Sequence, residues 1–389
     1  MGSCKLIADS VVAFRLVASP PVSNPTMLPE LDPRDLESVP VERSETIPSA
    51  WYTDARFHEL DRRAVFARTW QYVADLDRLK QPGDVVVTEI AGEPIIAVRD
   101  KAGELHVFFN VCRHRGGPLA LKDENCDMLI CKYHGWTYRL DGMLRGVPHF
   151  NQVELFDKQD YGLTPVPFAL WEGLVFVHLG DRPDPIETTF TGIRERVAPT
   201  RLGALRFVRQ VEYEVRCNWK VYVDNFLEGY HVPYVHPELC TLYDYQNYVT
   251  EVHDRYSVQV GPLTGERNVY TTGGGDALYY YVFPNLMLNV VPGRLQLNLV
   301  VPGAPDRCRV LFRYYYAEPE APGAPERIEA DVTFSDQVQQ EDAEICERVQ
   351  RGLGSRAYDR GRFSVRFEEG VYHFQQLLKQ AYRGWQEAR

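Results

Sequence analysis

Cys112-Arg113-His114-Arg115-Gly116-Gly117-Pro118, with Cys131-Lys132-Tyr133-His134-Gly135-Trp136 further on, decides how the rest of the chain is read. Sixteen residues separate His114 from Cys131. Each segment follows β-forming residues and enters a glycine-bearing loop, where a hairpin tip can present side chains. Thiolates and imidazoles are soft-to-borderline metal ligands, and two such pairs on neighbouring loops can converge on one centre. A tetrahedral zinc site is one reading, although zinc spacings usually pair Cys with Cys and His with His. Mixed pairs suit a [2Fe–2S] cluster with two Cys on one iron and two His on the other. Neutral imidazole in place of thiolate lowers the cluster's negative charge and raises its potential. Gly116, Gly117 and Gly135 allow tight turns and close approach of backbone N–H groups to sulfur.

Around these loops the pattern is one of short strands. Val85-Val86-Val87 and Pro94-Ile95-Ile96-Ala97-Val98 flank an Ala91-Gly92-Glu93 turn, and the strand at 136–140 runs into Asp141-Gly142, a hairpin signal. Asp181-Arg182-Pro183-Asp184-Pro185 reads as a boundary. Beyond it, strands at 205–217 and 278–316 mix with helices at 219–231 and 329–353. The expected fold class is α+β. Residues 1–45, with six prolines, form a loose tail; 46–183 form an antiparallel β domain with a preceding helix; 184–389 form a domain whose antiparallel sheet is covered by helices.

The 389 residues, 44% apolar and 25% charged, have room for two or three ordinary globular cores. A net charge of −11 argues against a nucleic-acid partner held by phosphate contacts. No run approaches the ~18 apolar residues of a membrane span. Eight scattered cysteines suit a reducing, cytoplasmic setting better than a disulfide scaffold. Of these, Cys4, Cys126, Cys217, Cys240, Cys308 and Cys346 read as packing or incidental thiols. The true start is open between Met1 and Met27.

A second constellation lies downstream. Asn218-Trp219-Lys220 opens a segment that reads as a helix to His231, with Asp224, Asn225, Glu228 and His231 on one polar side. A solvated helix face would explain them. Yet His236 follows between Pro233 and Pro237, which should end the helix and swing it back. On the helix at 329–353 the apolar stripe is Phe334, Val338, Ile345, Val349 and Leu353; Asp342 falls within its arc and Glu341 at its edge. A carboxylate on a buried stripe is costly unless paired or metal-bound. A salt bridge to an Arg and a place in a two-His-one-carboxylate iron site are both open.

Cys112-x-His114-Arg115-Gly116 with Cys131-x-x-His134-Gly135-Trp136 resembles the cluster motif of the Rieske non-haem iron oxygenases. Asn225-x-x-Glu228-x-x-His231-x-x-x-x-His236, with Glu341-Asp342, is similar to the mononuclear-iron motif of their terminal (alpha) subunits. The resemblance runs from about Trp51 to the C-terminus. It implies a Rieske [2Fe–2S] cluster on Cys112, His114, Cys131 and His134, and Fe(II) on His231, His236 and Asp342. It also implies catalytic roles for Asn225 and Glu228, dioxygen as co-substrate, and a homotrimer. In that trimer His134 of one subunit passes an electron through Glu228 to His231 of the next. The family commonly has Asp at this bridging position; Glu228 is one methylene longer and can still accept from two imidazoles. Gly352-Leu353-Gly354-Ser355-Arg356-Ala357 follows a helix rather than a strand and is set aside as a dinucleotide fingerprint. NAD(P)H is therefore expected to act only through a separate flavin and iron–sulfur reductase.

Gln340-Glu341-Asp342 with 346–353, and Asp224-Asn225-Phe226 with 230–234, resemble the branch that oxidises choline, glycine betaine and carnitine. Aromatic faces would hold a trimethylammonium head. The candidates are Tyr230, Tyr234, Tyr281 and Phe283, beside Tyr279 and Tyr280, although an aromatic run is more often ordinary sheet packing. The expected activity is hydroxylation or N-demethylation of a small quaternary ammonium substrate. The alternatives are hydroxylation or O-demethylation of an aromatic acid by the same centres, a Rieske electron carrier without catalytic iron, and a structural zinc protein.

Overall fold

The computed structural model describes residues 27–264 and 275–388; Cys4 and the first 26 residues of the expected tail lie outside them. The chain divides into two compact units, 73–168 and, among the described residues, 27–72 with 169–388.

In the first unit, strands Leu105–Phe109, Glu93–Arg99, Asp84–Ile90 and Glu124–Asn125 form one sheet in that order; Leu129–Ile130, Thr137–Tyr138 and Leu144–Gly146 form another. Val85 pairs with Val98 and Ile90 with Glu93. The two-residue turn between them puts Ala91 and Gly92 at φ 52° and 82°, as a type I′ turn requires. Inward-facing Val87, Ile96, Phe108, Trp136 and Tyr138 pack with Cys112 and Cys131 in one apolar cluster.

In the second unit, β1 (Arg206–Val215), β2 (Val249–Val252), β3 (Tyr256–Pro262), β4 (Asp276–Val282), β5 (Leu286–Val291), β6 (Arg294–Ala304) and β7 (Arg307–Tyr316) form an antiparallel sheet. Its order is β1-β7-β6-β5-β4-β3-β2. Strand alternation gives the sheet two different faces. Val258, Tyr280, Leu288, Leu297 and Tyr315 enter an apolar core with Ile186, Phe190 and Ile193. The other face carries a cross-strand row, Gln259–Tyr279–Asn289–Gln296. Against the sheet pack α1 (Trp219–Phe226), α2 (Ala324–Leu353) and α3 (Glu369–Glu387).

Four expectations change. The helix expected over 219–231 ends at Phe226. Gly229 is a poor interior residue and Pro233 has no N–H for its carbonyl; the Tyr245 hydroxyl donates to Gly229 O instead, at 2.7 Å. Segments 46–72 and 169–183 belong to the second unit rather than to the β domain. Trp51 packs on Tyr382 of α3 at 4.8 Å, and Trp171 and Phe176 join the core beneath the sheet. The loose tail stops short of residue 45: Glu37 O and Val39 O accept from Lys379 Nζ at 3.1 Å and the Tyr372 hydroxyl at 2.7 Å, both on α3. Finally, the buried side of α2 is not the apolar stripe. It runs through Ile328, Asp331, Val332, Ser335, Gln339 and Cys346, while Val349 is 44% exposed. Polar members find partners across the interface, Arg294 Nε donating to Asp331 at 2.5 Å and the Tyr314 hydroxyl to Ser335 at 3.0 Å, although Asp331 Oδ1 and Gln339 Nε2 are left without one.

Candidate functional site

The two motif loops of the first unit fold alike. Cys112 N–H donates to Gly117 O at 2.8 Å, and Gly116 N–H donates back to Cys112 O at 3.0 Å. Cys131 with Trp136, and Gly135 with Cys131, repeat the pattern at 2.9 Å each. The residue four beyond each cysteine is thus a glycine, at φ 74° and 75°, where a side chain would be strained. Gly117 lets sulfur come close, since a Cβ there would stand 2.9 Å from Cys131 Sγ.

The loops bring all four residues together. The His114 and His134 rings lie 4.7 Å apart at 75°, His114 stacks on Trp136 at 4.8 Å, and both cysteines are buried. The Tyr138 hydroxyl accepts from Arg113 N–H at 3.0 Å, which leaves its proton for Cys112 Sγ at 3.3 Å. His114 Nδ1 is buried with no hydrogen-bond partner. Such an atom needs an explanation, and a metal supplies one. Burial, then His134 and Arg115, hold the His114 imidazole below its ordinary pKa, in the neutral ligating form. Two thiols and two imidazoles so arranged fit a Rieske cluster.

In the second unit, α1 carries Asn225 to a pocket, and the turn beyond it carries Glu228 and His231. Two four-residue helices, Val232–Val235 and Pro237–Cys240, meet at His236. Pro233 and Pro237 sit in their first turns, where a missing N–H costs nothing. Asp342 arrives from α2. His231 Nε2 and His236 Nε2 lie 3.6 and 2.9 Å from Asp342 Oδ1, so the ligand atoms of all three residues lie within 4.8 Å of one another.

The other imidazole nitrogens are held by glutamates. Glu228 Oε1 takes His231 Nδ1 at 2.7 Å while its Oε2 accepts the His231 backbone N–H at 3.0 Å. Glu341 Oε2 takes His236 Nδ1 at 2.6 Å. The carboxylates thereby select the tautomer that leaves Nε2 for a metal. Sequence spacing placed Glu341 only at the edge of a stripe; its reach to His236 depends on where the two short helices meet.

The electrostatics call for a cation. Burial pushes the Asp342 carboxyl up, but hydrogen bonds from His231 and His236 outweigh it and the net shift is down. Burial opposes protonation of His231, yet Asp342 and Glu228 lift it to about 9. Three carboxylates around two imidazoles are an excess of negative charge, and two nitrogens with one oxygen beside an open pocket suit Fe(II).

Phe226, Tyr243, Tyr245, Tyr248, Tyr279 and Phe312 line that pocket. Tyr243 stands at 74° to Tyr248 and 76° to Tyr279, each 6.1 Å away, making three sides of an aromatic box. The Tyr248 hydroxyl donates to Gln259 at 3.2 Å, and Gln259 Nε2 donates to Phe226 O at 2.6 Å, tying the box to the end of α1. The four expected pocket aromatics lie elsewhere. Tyr230 and Tyr234 are 47% and 81% exposed, and Tyr281 and Phe283 are buried against Phe374 of α3. Tyr279 and Tyr281 share a strand face, but two residues carry the chain about 7 Å, from beneath the pocket to beneath α3. Asn289, Gln296 and Asn298 add a polar wall that sequence reading missed. Its trace was a polar residue alternating with leucine or valine inside otherwise apolar strands.

Two family models match separate stretches of the chain. Residues 202–384 match the model of the ring hydroxylating alpha subunit (catalytic domain), and 69–157 that of the Rieske [2Fe-2S] domain. The chain is 35% identical over 372 residues to a chloroplastic choline monooxygenase of Arabidopsis thaliana, covering 90% of this chain and 85% of that one. It is 30% identical over 353 residues to the carnitine monooxygenase oxygenase subunit of Escherichia coli, covering 87% and 94%. Among solved structures it resembles a quaternary ammonium Rieske monooxygenase with TM-score 0.81 at 27% identity, covering 89% of this chain and 99% of that one. It also resembles structures of a quaternary ammonium Rieske monooxygenase in complex with L-carnitine and with gamma-butyrobetaine.

Proposed function

The chain belongs to the Rieske-type non-haem iron oxygenases, and on that footing we propose that it oxidises a small quaternary ammonium compound of the choline, betaine or carnitine kind. The observation that carries the substrate class is the box of Tyr243, Tyr248 and Tyr279 in the pocket that holds His231, His236 and Asp342. A trimethylammonium head has no N–H to donate, so ring faces are its natural partners, each contact worth about 2 kcal/mol or more once desolvated. Asn225, Gln296 and Asn298 are placed to orient a polar tail. The names of the choline and carnitine relatives support the same class.

Fe(II) held by His231, His236 and Asp342 would supply open positions for dioxygen and the oxidising power to attack a C–H bond. The protein's own contribution is orientation. Glu228 and Glu341 keep both Nε2 atoms turned inward, and the aromatic box presents one N-methyl or adjacent carbon to the site. If an N-methyl carbon is oxidised, its hydroxymethyl product collapses to amine and formaldehyde. Cys112, His114, Cys131 and His134 would hold the cluster. Glu228 has carboxylate capacity left for a second imidazole, so we assign it the bridge to His134 of the next subunit in a homotrimer. Electrons would come from NAD(P)H through a separate flavin and iron–sulfur reductase. Among the described residues no helix is long and apolar enough to cross a membrane. Cytoplasmic location is our reading, although the plant relatives are chloroplastic.

A single turnover tests the proposal. The purified protein is reduced with dithionite, freed of excess reductant, and given oxygen with one candidate substrate. Choline, glycine betaine and carnitine are set against benzoate and methoxybenzoate, and products are read by mass spectrometry. Oxidation within the ammonium set is expected. Oxidation of the aromatic acids alone would overturn the substrate class and leave the metal chemistry standing.

A further inference from the structure

Three cysteines that play no part in either metal centre come together inside the second unit. Cys217 follows β1, Cys308 lies in β7 and Cys346 on α2; they are 0%, 0% and 1% exposed. Cys217 Sγ lies 4.0 Å from Cys308 Sγ, and Cys346 is near enough to shift the Cys217 thiol. Nothing in their spacing announces this. The β1–β7 register, which sets Val215 opposite Cys308, and the packing of α2 create it. The cluster lies close to the iron ligands. Cys346 is one helical turn beyond Asp342 on the same side of α2. Tyr222, which lines the pocket, feels the charge of Asp342 and of all three cysteines.

We propose that Cys217, Cys308 and Cys346 form an oxidisable thiol site, in which hydrogen peroxide closes Cys217 onto Cys308 as a disulfide. The proposal rests on the oxygenase reading only for the source of peroxide, the two-electron reduction product of dioxygen consumed without oxidation of substrate. The step balances. The Cys217 thiol attacks one peroxide oxygen, the O–O bond breaks, and sulfenic acid and water form. The Cys308 thiol then attacks the Cys217 sulfur, displacing a second water and leaving the S–S bond. Two thiols lose two electrons and two protons, and peroxide becomes two waters. Cys217 is assigned as the attacking sulfur because it is the one beside both other thiols, whose S–H groups can stabilise its thiolate and draw its pKa below that of an ordinary thiol. Cys346 holds that thiolate and is not consumed.

The test uses the reduced holoenzyme. It is titrated with hydrogen peroxide, its remaining thiols are alkylated after denaturation, and it is mapped by non-reducing digestion. Cys126 and Cys240 are less buried and serve as internal controls. The expected result is an early mass loss of about 2 Da and a Cys217–Cys308 linked peptide while Cys126 and Cys240 stay alkylatable. Cys346→Ala should slow closure about tenfold, the loss expected when a hydrogen bond to the thiolate is removed. Oxidation of Cys126 and Cys240 first, with Cys217 and Cys308 intact, would overturn the site. A second arm runs oxygen and reductant with no substrate and no added peroxide. Closure in the wild type but not in Asp342→Ala is expected. If added peroxide closes the pair and oxygen turnover does not, the iron is overturned as the source and the thiol chemistry stands.

Discussion

Glu228 and Glu341 decide, for His231 and His236, which imidazole nitrogen faces the metal. Because Glu341 Oε2 holds His236 Nδ1 at 2.6 Å, Glu341→Gln should keep the shape and lose the charge. Such partners typically account for about 10–100-fold in metal affinity. Iron retained against a graded chelator should fall by that order, with the cluster's visible spectrum unchanged; equal retention would remove Glu341 from the site. The metal-free protein offers a second test. His231 is lifted from 6.5 to about 9 in the folded chain, so the folded state binds the proton more tightly than the unfolded one. That stabilisation is complete below about 6.5 and lost as pH rises through about 9. Thermal melts of the apoprotein should therefore drop between roughly pH 6 and pH 10. The iron-loaded protein has already displaced that proton and should show a flatter profile; parallel profiles would contradict the assignment.

At the scale of elements, close approaches hold the ligand loop in place. A Cβ on Gly370, in the first turn of α3, would stand 2.5 Å from the carbonyl oxygen of Leu227, which follows α1. Backbone cannot give way as a side chain can, so Gly370→Ala must push α3 from the loop that carries Glu228 and His231. A cost of about 1–3 kcal/mol is expected, read as a lower melting temperature and weaker iron retention. Gly384→Ala in the same helix has nothing within 4 Å and should be neutral or gain about 1 kcal/mol from helix propensity. Equal effects of the two substitutions would show that contact with Leu227 does not matter.

The same scale explains what could be read in advance. The cluster loops were legible because ligands and turn glycines sit within a few residues of one another. The end of α1 was not, because the partner that takes Gly229 O is Tyr245, sixteen residues away. Asp342 is expected from a buried apolar stripe that is not the buried side; the helix instead buries a polar side through Ser335, Gln339 and Cys346, and this is what brings Asp342 to His231 and His236. The aromatic box was out of reach. It combines Tyr243 and Tyr248 from a loop region with Tyr279 from a strand, and which tyrosine of 279–281 meets the pocket depends on where α3 covers the sheet.

At the scale of the whole molecule, the proposed homotrimer makes a demand that no single chain can meet. If His134 of one subunit serves Glu228 and His231 of the next, a chain with a defective cluster can still turn over, provided its neighbour's cluster is intact. Cys131→Ser should remove the cluster and keep the iron; Asp342→Ala should remove the iron and keep the cluster. Neither alone should form product. Co-expressed in equal amounts with distinct tags and isolated as mixed trimers, they place an intact cluster against an intact iron at one of the three head-to-tail contacts, about a third. Product formation should recover to about that share of wild type, with each centre quantified by its own metal content. Electron transfer confined within one subunit would leave the mixture as inactive as its parents, because no single chain then carries both centres.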